Sequence, residues 1–395
     1  MKKTVRDIEV NGKRVFVRCD FNVPVDESGN ITDDRRILGA VPTIEYLIDN
    51  GAKIILASHM GRPKGKADMK YSLQIVAKRL SEILKKPVTF VSEPEVTGEK
   101  TKARAEKLKQ GEIMLMENLR FREEETKNDD EFSKKLASLA DIYVNDAFGT
   151  AHRAHSSTAG IAKYLPAVSG FLMEKELHFF GELLEAPEHP FTAVLGGAKV
   201  KDKIPLIENL LDKVDRIIIG GGMAFTFIKA QGYEIGTSLL EEDCIPVTLE
   251  LMKKAAEKGV EFMLPIDEVC AYEFKNDSET KTCNVDAIPE DMMGLDIGEK
   301  TRKVYAEAIK NSSTVVWNGP MGVFEMDNFS AGTRAVAEAM NTCAGVTVVG
   351  GGDSAAAIRK FDLEAGISHI STGGGASLEF LEGKLLPGVD CLQDK

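Results

Sequence analysis

The sequence predicts an α/β protein of two domains, each a mainly parallel sheet flanked by helices, with a single helix joining them. Three observations lead there. Short β-branched runs alternate with amphipathic stretches along the chain, the pattern of parallel strands linked by right-handed helical crossovers. That alternation falls into two series, separated by one long amphipathic stretch. The 395 residues also exceed the size at which a single hydrophobic core stops growing.

The first series reads as strands at "KRVFVR" (13–18), "AKIILAS" (52–58), "EIMLME" (112–117) and "DIYVN" (141–145). Between them, "SLQIVAKRLSEIL" (72–84) and "EFSKKLASLA" (131–140) repeat apolar residues at spacings of three and four, the helical period. The stretch "GFLMEKELHFFGELLEAPEHP" (170–190) has the same period, and Pro187 and Pro190 stop it. It predicts an interdomain helix over 170–186, between a first domain at 1–169 and a second at 187–383. The second series gives strands at "FTAVLG" (191–196), "DRIIIG" (215–220), "EFMLPI" (261–266), "STVVWNG" (313–319), "VTVVGG" (346–351) and "SHIST" (368–372), with a helix at "VTLELMKKAAEKG" (247–259). The tail, 384–395, follows the last strand and is expected to pack back on the first domain.

Composition narrows the function. A net charge of −12 argues against nonspecific nucleic-acid binding. No apolar run is long enough to cross a bilayer, and the start "MKKTVRDIEVNGKRVFV" lacks the apolar region of a signal peptide. Six scattered cysteines without a Cys-x-x-Cys pair fit a reduced, cytoplasmic chain better than a disulfide framework or a zinc site. The charge is uneven: residues 1–169 sum to +4 and the remainder to −16. An anion site in the acidic half must therefore be local.

Ligands of open parallel sheets bind at the carboxyl ends of the strands. In the first half those ends read "RCDFN", "SHMGRP", "ENLRF" and "NDAFGTAHRAH", all polar and all containing arginine. In the second they read "GGAKVKDK", "GGGMAF", "NGPMGVFE", "GGGDS" and "TGGGAS", rich in paired glycines. One domain thus offers a basket of Arg, His, Asp and Asn, and the other offers bare backbone amides that suit phosphate. Arg36, Arg62, Arg120 and Arg153 are expected at strand ends or in loops, where guanidinium groups bind phosphate and carboxylate bidentately.

In "GGAKVKDKI", Lys199, Lys201 and Lys203 are expected on the first turn of a helix, with Lys199 and Lys203 on one face. Such lysines oppose the helix dipole and repel one another; a solvated turn or a bound polyanion would each account for them. In "GGGDS", Asp353 is negative where a phosphate would sit. Mg²⁺ carried by nucleotide phosphates resolves that conflict, since it takes one or two protein carboxylates; an Asp that merely caps its helix fits equally well. Gly350, Gly352 and Ala355 also match the dinucleotide fingerprint G-x-G-x-x-A, but no ribose acid follows, since position 370 is Ile. No Walker A or protein-kinase motif is present. His152 and His155 have no Cys or Glu at metal-site spacing.

The segments "RCDFNVP", "SHMGRP", "ENLRF", "NDAFGTAHRAHSS", "GGAKVKDKI", "WNGPMGVFE", "GGGDS" and "STGGGASLE" together resemble the serial signatures of the phosphoglycerate kinase family, in order and spacing over essentially the whole chain. The resemblance implies two Rossmann-like domains. 3-Phosphoglycerate or 1,3-bisphosphoglycerate would bind the first, and ADP or ATP with Mg²⁺ the second. It implies triose-site residues at Asp20, Phe21, Asn22, Arg36, His59, Met60, Gly61, Arg62, Arg120 and Arg153. Nucleotide-site residues fall on Lys203, Gly294, Glu325, Gly351, Gly352, Asp353 and Ser354, with Asp353 toward the metal. Arg36, Lys199, Lys203, Gly351 and Gly352 would lie near the transferring phosphoryl. Cys19, Met60 and Ser354 stand where relatives more often carry Val, Leu and Thr. The implied reaction makes ATP in glycolysis, in the cytoplasm and as a monomer. Its acceptor is an already ionised oxygen, so no general base is expected, and separate binding domains imply closure. The helix over 170–186 and the segment "STGGGAS" (371–377) are expected to form the hinge.

Overall fold

In the computed structural model, which describes residues 1–395, two parallel sheets each carry one compact unit. Strands β1 (Arg14–Cys19), β2 (Lys53–Ala57), β3 (Val88–Val91), β4 (Ile113–Met116), β5 (Ile142–Asp146) and β6 (Ala167–Ser169) form a six-stranded sheet in the order β3-β4-β2-β1-β5-β6. All its pairings are parallel. The inner strands are buried on both faces, as a sheet covered by crossover helices must be. On one face Val15, Val17, Ile54, Leu56, Leu115 and Val144 form a core with Ile37, Ile44 and Leu47 of the helix Arg35–Asp49 and Val76 and Leu80 of the helix Gln74–Leu84. Each such side chain contributes roughly 1.5–3 kcal/mol by leaving water. The chain runs outward from β1 and later returns as β5 on its other side, so strand order reverses between β1 and β5.

The second sheet repeats this plan. Strands β7 (Phe191–Leu195), β8 (Arg216–Ile219) and β9 (Glu261–Met263) run one way. A small antiparallel sheet follows, built from β10 (Asp267–Ala271), β11 (Thr280–Asn284) and β12 (Met293–Ile297). Then β13 (Thr314–Asn318), β14 (Val346–Gly350) and β15 (His369–Ile370) complete a six-stranded parallel sheet in the order β15-β14-β13-β7-β8-β9. Here the order reverses between β7 and β13. Trp317 is wholly buried in the core, and its indole N–H donates to the Gly319 carbonyl at 2.7 Å.

The helix Phe171–Glu185 has an identifiable start and stop. Asp146, at the carboxyl end of β5, accepts the N–H groups of Leu172 (2.9 Å) and Met173 (3.3 Å), and the Thr43 hydroxyl accepts that of Phe171 at 2.9 Å. A carboxylate at the helix N-terminus satisfies donors that have no intrahelical partner. The helix ends before Pro187. The compact units are Met1–His178 with Leu385–Lys395, and Phe179–Lys384. Their boundary thus falls inside this helix. Phe179 stacks on His369 with ring centroids 4.6 Å apart, and Phe180 lies 6.0 Å from Phe380, which ties the second half of the helix to the second unit. The tail joins the first unit, where Asn145 donates to the Gly388 carbonyl and Gly388 N–H to that of Ala151, both at 2.8 Å.

Candidate active site

In the first unit, the polar segments after β1, β2, β4 and β5 meet at the reversal point. Asp20 follows β1 and pairs with Arg36. Arg36 lies in the first turn of the helix Arg35–Asp49, which corrects its expected place at a strand end or in a loop. Asn22 accepts the Gly61 N–H at 2.8 Å, leaving its amide N–H₂ free to donate. Asn118, after β4, donates to the carbonyls of Met60 (2.7 Å) and Tyr71 (2.9 Å), and so fixes the segment that carries His59, Gly61 and Arg62. Phe21 and Met60 send their side chains into the core; what they offer a ligand is main chain. Arg62 is exposed. Arg153 donates to the His152 ring at 3.1 Å.

Arg120 is the least satisfied group of the basket. It is 7% exposed, and one nitrogen donates to the Gly61 carbonyl at 3.0 Å. Its Nε and Nη2 are buried without a partner. Burial first, then the charges of Arg18 and Arg153, pull its pKa down to about 10. Burial likewise drives His155 to about 3, assisted by Arg120 and Arg18, and it holds His59 well below its ordinary value. Both imidazoles are therefore neutral at pH 7. Two buried donors without a partner, beside the guanidinium groups of Arg18 and Arg153, suit an anion.

In the second unit a cavity of about 380 Å³ opens at the reversal between β7 and β13. Its walls include Gly196, Lys199, Lys203, Gly319 and Gly351 to Ser354. Gly319 has φ +100, and a Cβ there would lie 2.1 Å from the Gly196 carbonyl oxygen, so the two loops meet backbone to backbone. Gly351, with φ +93, precedes the helix Gly352–Lys360, whose first N–H groups face no carbonyl within the helix. Asp353 is exposed and makes no capping bond, which corrects the capping reading. The Ser354 hydroxyl accepts the Gly319 N–H at 2.6 Å. The Lys203 ammonium donates to Asn318, and burial lowers its pKa against the pull of Asp202, Glu382 and Asp353.

Lys199 and Lys201 do not lie on a helical turn. The helix starts at Ile204, with Lys203 as its N-cap and Pro205 in the first turn. Glu241 accepts the N–H groups of Val200 and Lys201 and holds the segment before it as a turn. Gly294 and Glu325 do not line the cavity. Gly294 sits on β12, donates to the Ser238 hydroxyl at 2.9 Å and leaves room for the Phe225 ring. Glu325 is exposed in the segment after β13.

A family model described as phosphoglycerate kinase matches residues 5–384. The chain belongs to the phosphoglycerate kinase family. The phosphoglycerate kinase of Clostridium botulinum (strain Alaska E43 / Type E3) is 60% identical over 394 residues, spanning 100% of this chain and 99% of that protein. That of Clostridium perfringens (strain ATCC 13124) is 59% identical over 395 residues, with the same coverage. Among solved structures, phosphoglycerate kinase from Coxiella burnetii superposes with a TM-score of 0.90 at 43% identity, over 99% of this chain and 98% of that one. The enzyme from Pyrococcus horikoshii OT3 gives 0.82 at 34%, with the same coverage. As a member of the phosphoglycerate kinase family the chain is an enzyme, a phosphotransferase of glycolysis that binds ATP. Its α/β fold with two mainly parallel sheets is the family's fold. No helix is long and apolar enough to cross a membrane.

Several residues that shape the basket and the cavity carried no assignment from sequence. Arg18, Asn118, Glu125 and Ser157 hold the basket in place, and Asn318 holds Lys203. One signal was available. Arg18 is the one buried charge of β1, in a sheet covered on both faces, where charged residues are rarely buried without a task.

Proposed function

We propose that the chain catalyses reversible phosphoryl transfer from 1,3-bisphosphoglycerate to ADP, giving 3-phosphoglycerate and ATP, as a monomer in the cytoplasm. The observation that carries this is Arg120, buried with two idle N–H donors inside a basket of arginines. A small ligand bearing both a phosphate and a carboxylate satisfies such a basket, with Asp20, Asn22, Arg36, His59, Arg62 and Arg153 as its further contacts. The glycine-lined cavity of the second unit suits nucleotide phosphates, held by amides of Gly351, Gly352 and Ser354 and by Lys203. Gly294 and Glu325 are assigned to the rest of the nucleotide.

The residues fit a divalent cation carried by the nucleotide. Asp353 offers one exposed carboxylate at the cavity, and no group of three or more metal-binding side chains forms a protein cage. Mg²⁺ bound there would neutralise phosphate oxygens and withdraw charge from the transferring group. Arg36, Lys199, Lys203 and the glycine amides stabilise the oxygens of that group, and the acceptor oxygen is already ionised, so no general base is needed. Because each ligand is assigned to its own unit, transfer requires closure, which also excludes the water that would hydrolyse an acyl phosphate. The helix Phe171–Glu185 and residues 371–377 are the proposed hinge. The test is NADH oxidation from 3-phosphoglycerate and ATP with added glyceraldehyde-3-phosphate dehydrogenase. Turnover is expected; binding of both ligands without turnover refutes the proposal.

A further inference from the structure

Beneath the arginine basket lies a chain of side chains that no ligand contact requires. Arg18, on β1, is wholly buried. Its Nε donates to the Ser157 hydroxyl at 2.8 Å, and its Nη1 donates to the Cys19 carbonyl. Ser157 in turn donates its hydroxyl to Glu125 Oε1 at 2.6 Å, and its backbone N–H donates to Glu125 Oε2 at 3.0 Å. Glu125 is wholly buried as well; burial pushes its carboxyl up, and Arg18, one hydroxyl away, pulls it back toward the ionised form. The remaining arm of the guanidinium, Nη2, lies 3.1 Å from His59 Nδ1.

That last contact has one chemical reading. A guanidinium has donors only, so Nδ1 of His59 must be the acceptor and carries no proton. A neutral ring then bears its proton on Nε2, which has no partner in the protein. Burial first, then Arg18, Arg120, Arg36 and Arg153, all disfavour an imidazolium at this position.

We propose that Arg18, braced by Ser157 and Glu125, is a positioning residue that locks His59 as its neutral Nε2–H tautomer and presents that N–H to the anion bound in the basket. The assignment rests on the triose reading of the first unit. It has a physical logic. The basket already holds several like charges, and a further cation would raise their mutual repulsion. A neutral N–H adds a directed hydrogen bond to the ligand without adding charge. Fixing the tautomer before the ligand arrives also removes the need to reorganise on binding.

Multiple-bond ¹H–¹⁵N spectra of the full-length protein, labelled at histidine and recorded without ligand at pH 6 to 8, read the tautomer directly. The expected result is a bare Nδ1 and a protonated Nε2 throughout; a proton on Nδ1, or a ring that titrates in this range, overturns the proposal. Adding 3-phosphoglycerate should shift the Nε2–H resonance. If calorimetry shows the ligand binding while that resonance stays put, the presenting role is wrong. If the ligand does not bind at all, the triose reading falls, and the presenting role with it. Ser157→Ala removes the brace and leaves the ligand-facing groups intact. It should populate the second tautomer and raise KM for 3-phosphoglycerate roughly tenfold, the scale of one weakened charge-assisted hydrogen bond, with a smaller change in kcat. Unchanged spectra and KM in that variant would show that Arg18 only fills space. Should the variant fail to fold, the wild-type spectra still decide.

Discussion

Arg36 and Asp296 show at the residue scale how surroundings set what a side chain can do. Arg36 is paired with Asp20 yet remains partly exposed at the basket. Arg36→Ala should lower kcat by roughly 10²–10³, as removal of one oxyanion-stabilising donor does, with little change in nucleotide affinity; a variant with wild-type kcat would exclude Arg36 from the reacting centre. Asp296, on β12, is buried; its Oδ2 accepts the Gly332 N–H at 2.7 Å and its Oδ1 has no partner. Burial raises its pKa from 3.8 to about 7, and Glu268, buried nearby, is pushed up by burial and by Asp296. An acid with a higher pKa folded than unfolded binds more protons in the native state. Its stabilising effect is therefore complete below about pH 4 and is lost as pH rises through about 7. The urea midpoint should be lower at pH 8 than at pH 5, and Asp296→Asn should flatten that difference. An equal slope in the variant would mean that another group carries it. Arg36 and Arg120 could be picked out from motif and residue type. Arg18's partnership with His59 could not, because its brace, Ser157, lies 139 positions away.

Among the elements, what carried a strong apolar pattern was legible. "AKIILAS", "FTAVLG" and "STVVWNG" became β2, β7 and β13, and the helix expected over 170–186 spans Phe171–Glu185. Strands with weaker patterns escaped notice. β3 is partly exposed and β6 has 3 residues. In the small sheet β11 is exposed at four of its five positions, so its sequence shows little hydrophobic alternation. The turn before Ile204 was misread as helix because Glu241, remote in sequence, supplies the acceptor that stabilises it. Loop contacts around the nucleotide cavity are just as dependent on distant partners. Gly319→Ala places a Cβ against the Gly196 carbonyl at a φ that L-residues avoid, at a cost of about 1–3 kcal/mol. Urea unfolding should show that loss together with weaker ATP binding; a variant as stable as wild type would mean that the two loops can part freely.

For the whole molecule, the proposed transfer needs two ligand-bearing units to close. X-ray scattering should give a smaller radius of gyration with 3-phosphoglycerate and a non-hydrolysable ATP analogue together than with either alone. The same value in all three states would remove closure from the mechanism.

The sequence by itself determined the α/β class, the two series of strands and the contrast between arginine-bearing and glycine-bearing strand ends, because hydrophobic period and residue chemistry are local properties. Tertiary structure alone decided that the unit boundary lies within a helix, that Lys203 precedes a helix and reaches Asn318, and that Arg18 bears on His59. Those outcomes depend on burial and on hydrogen bonds between groups far apart along the chain, and a linear pattern holds no record of which distant partner will arrive.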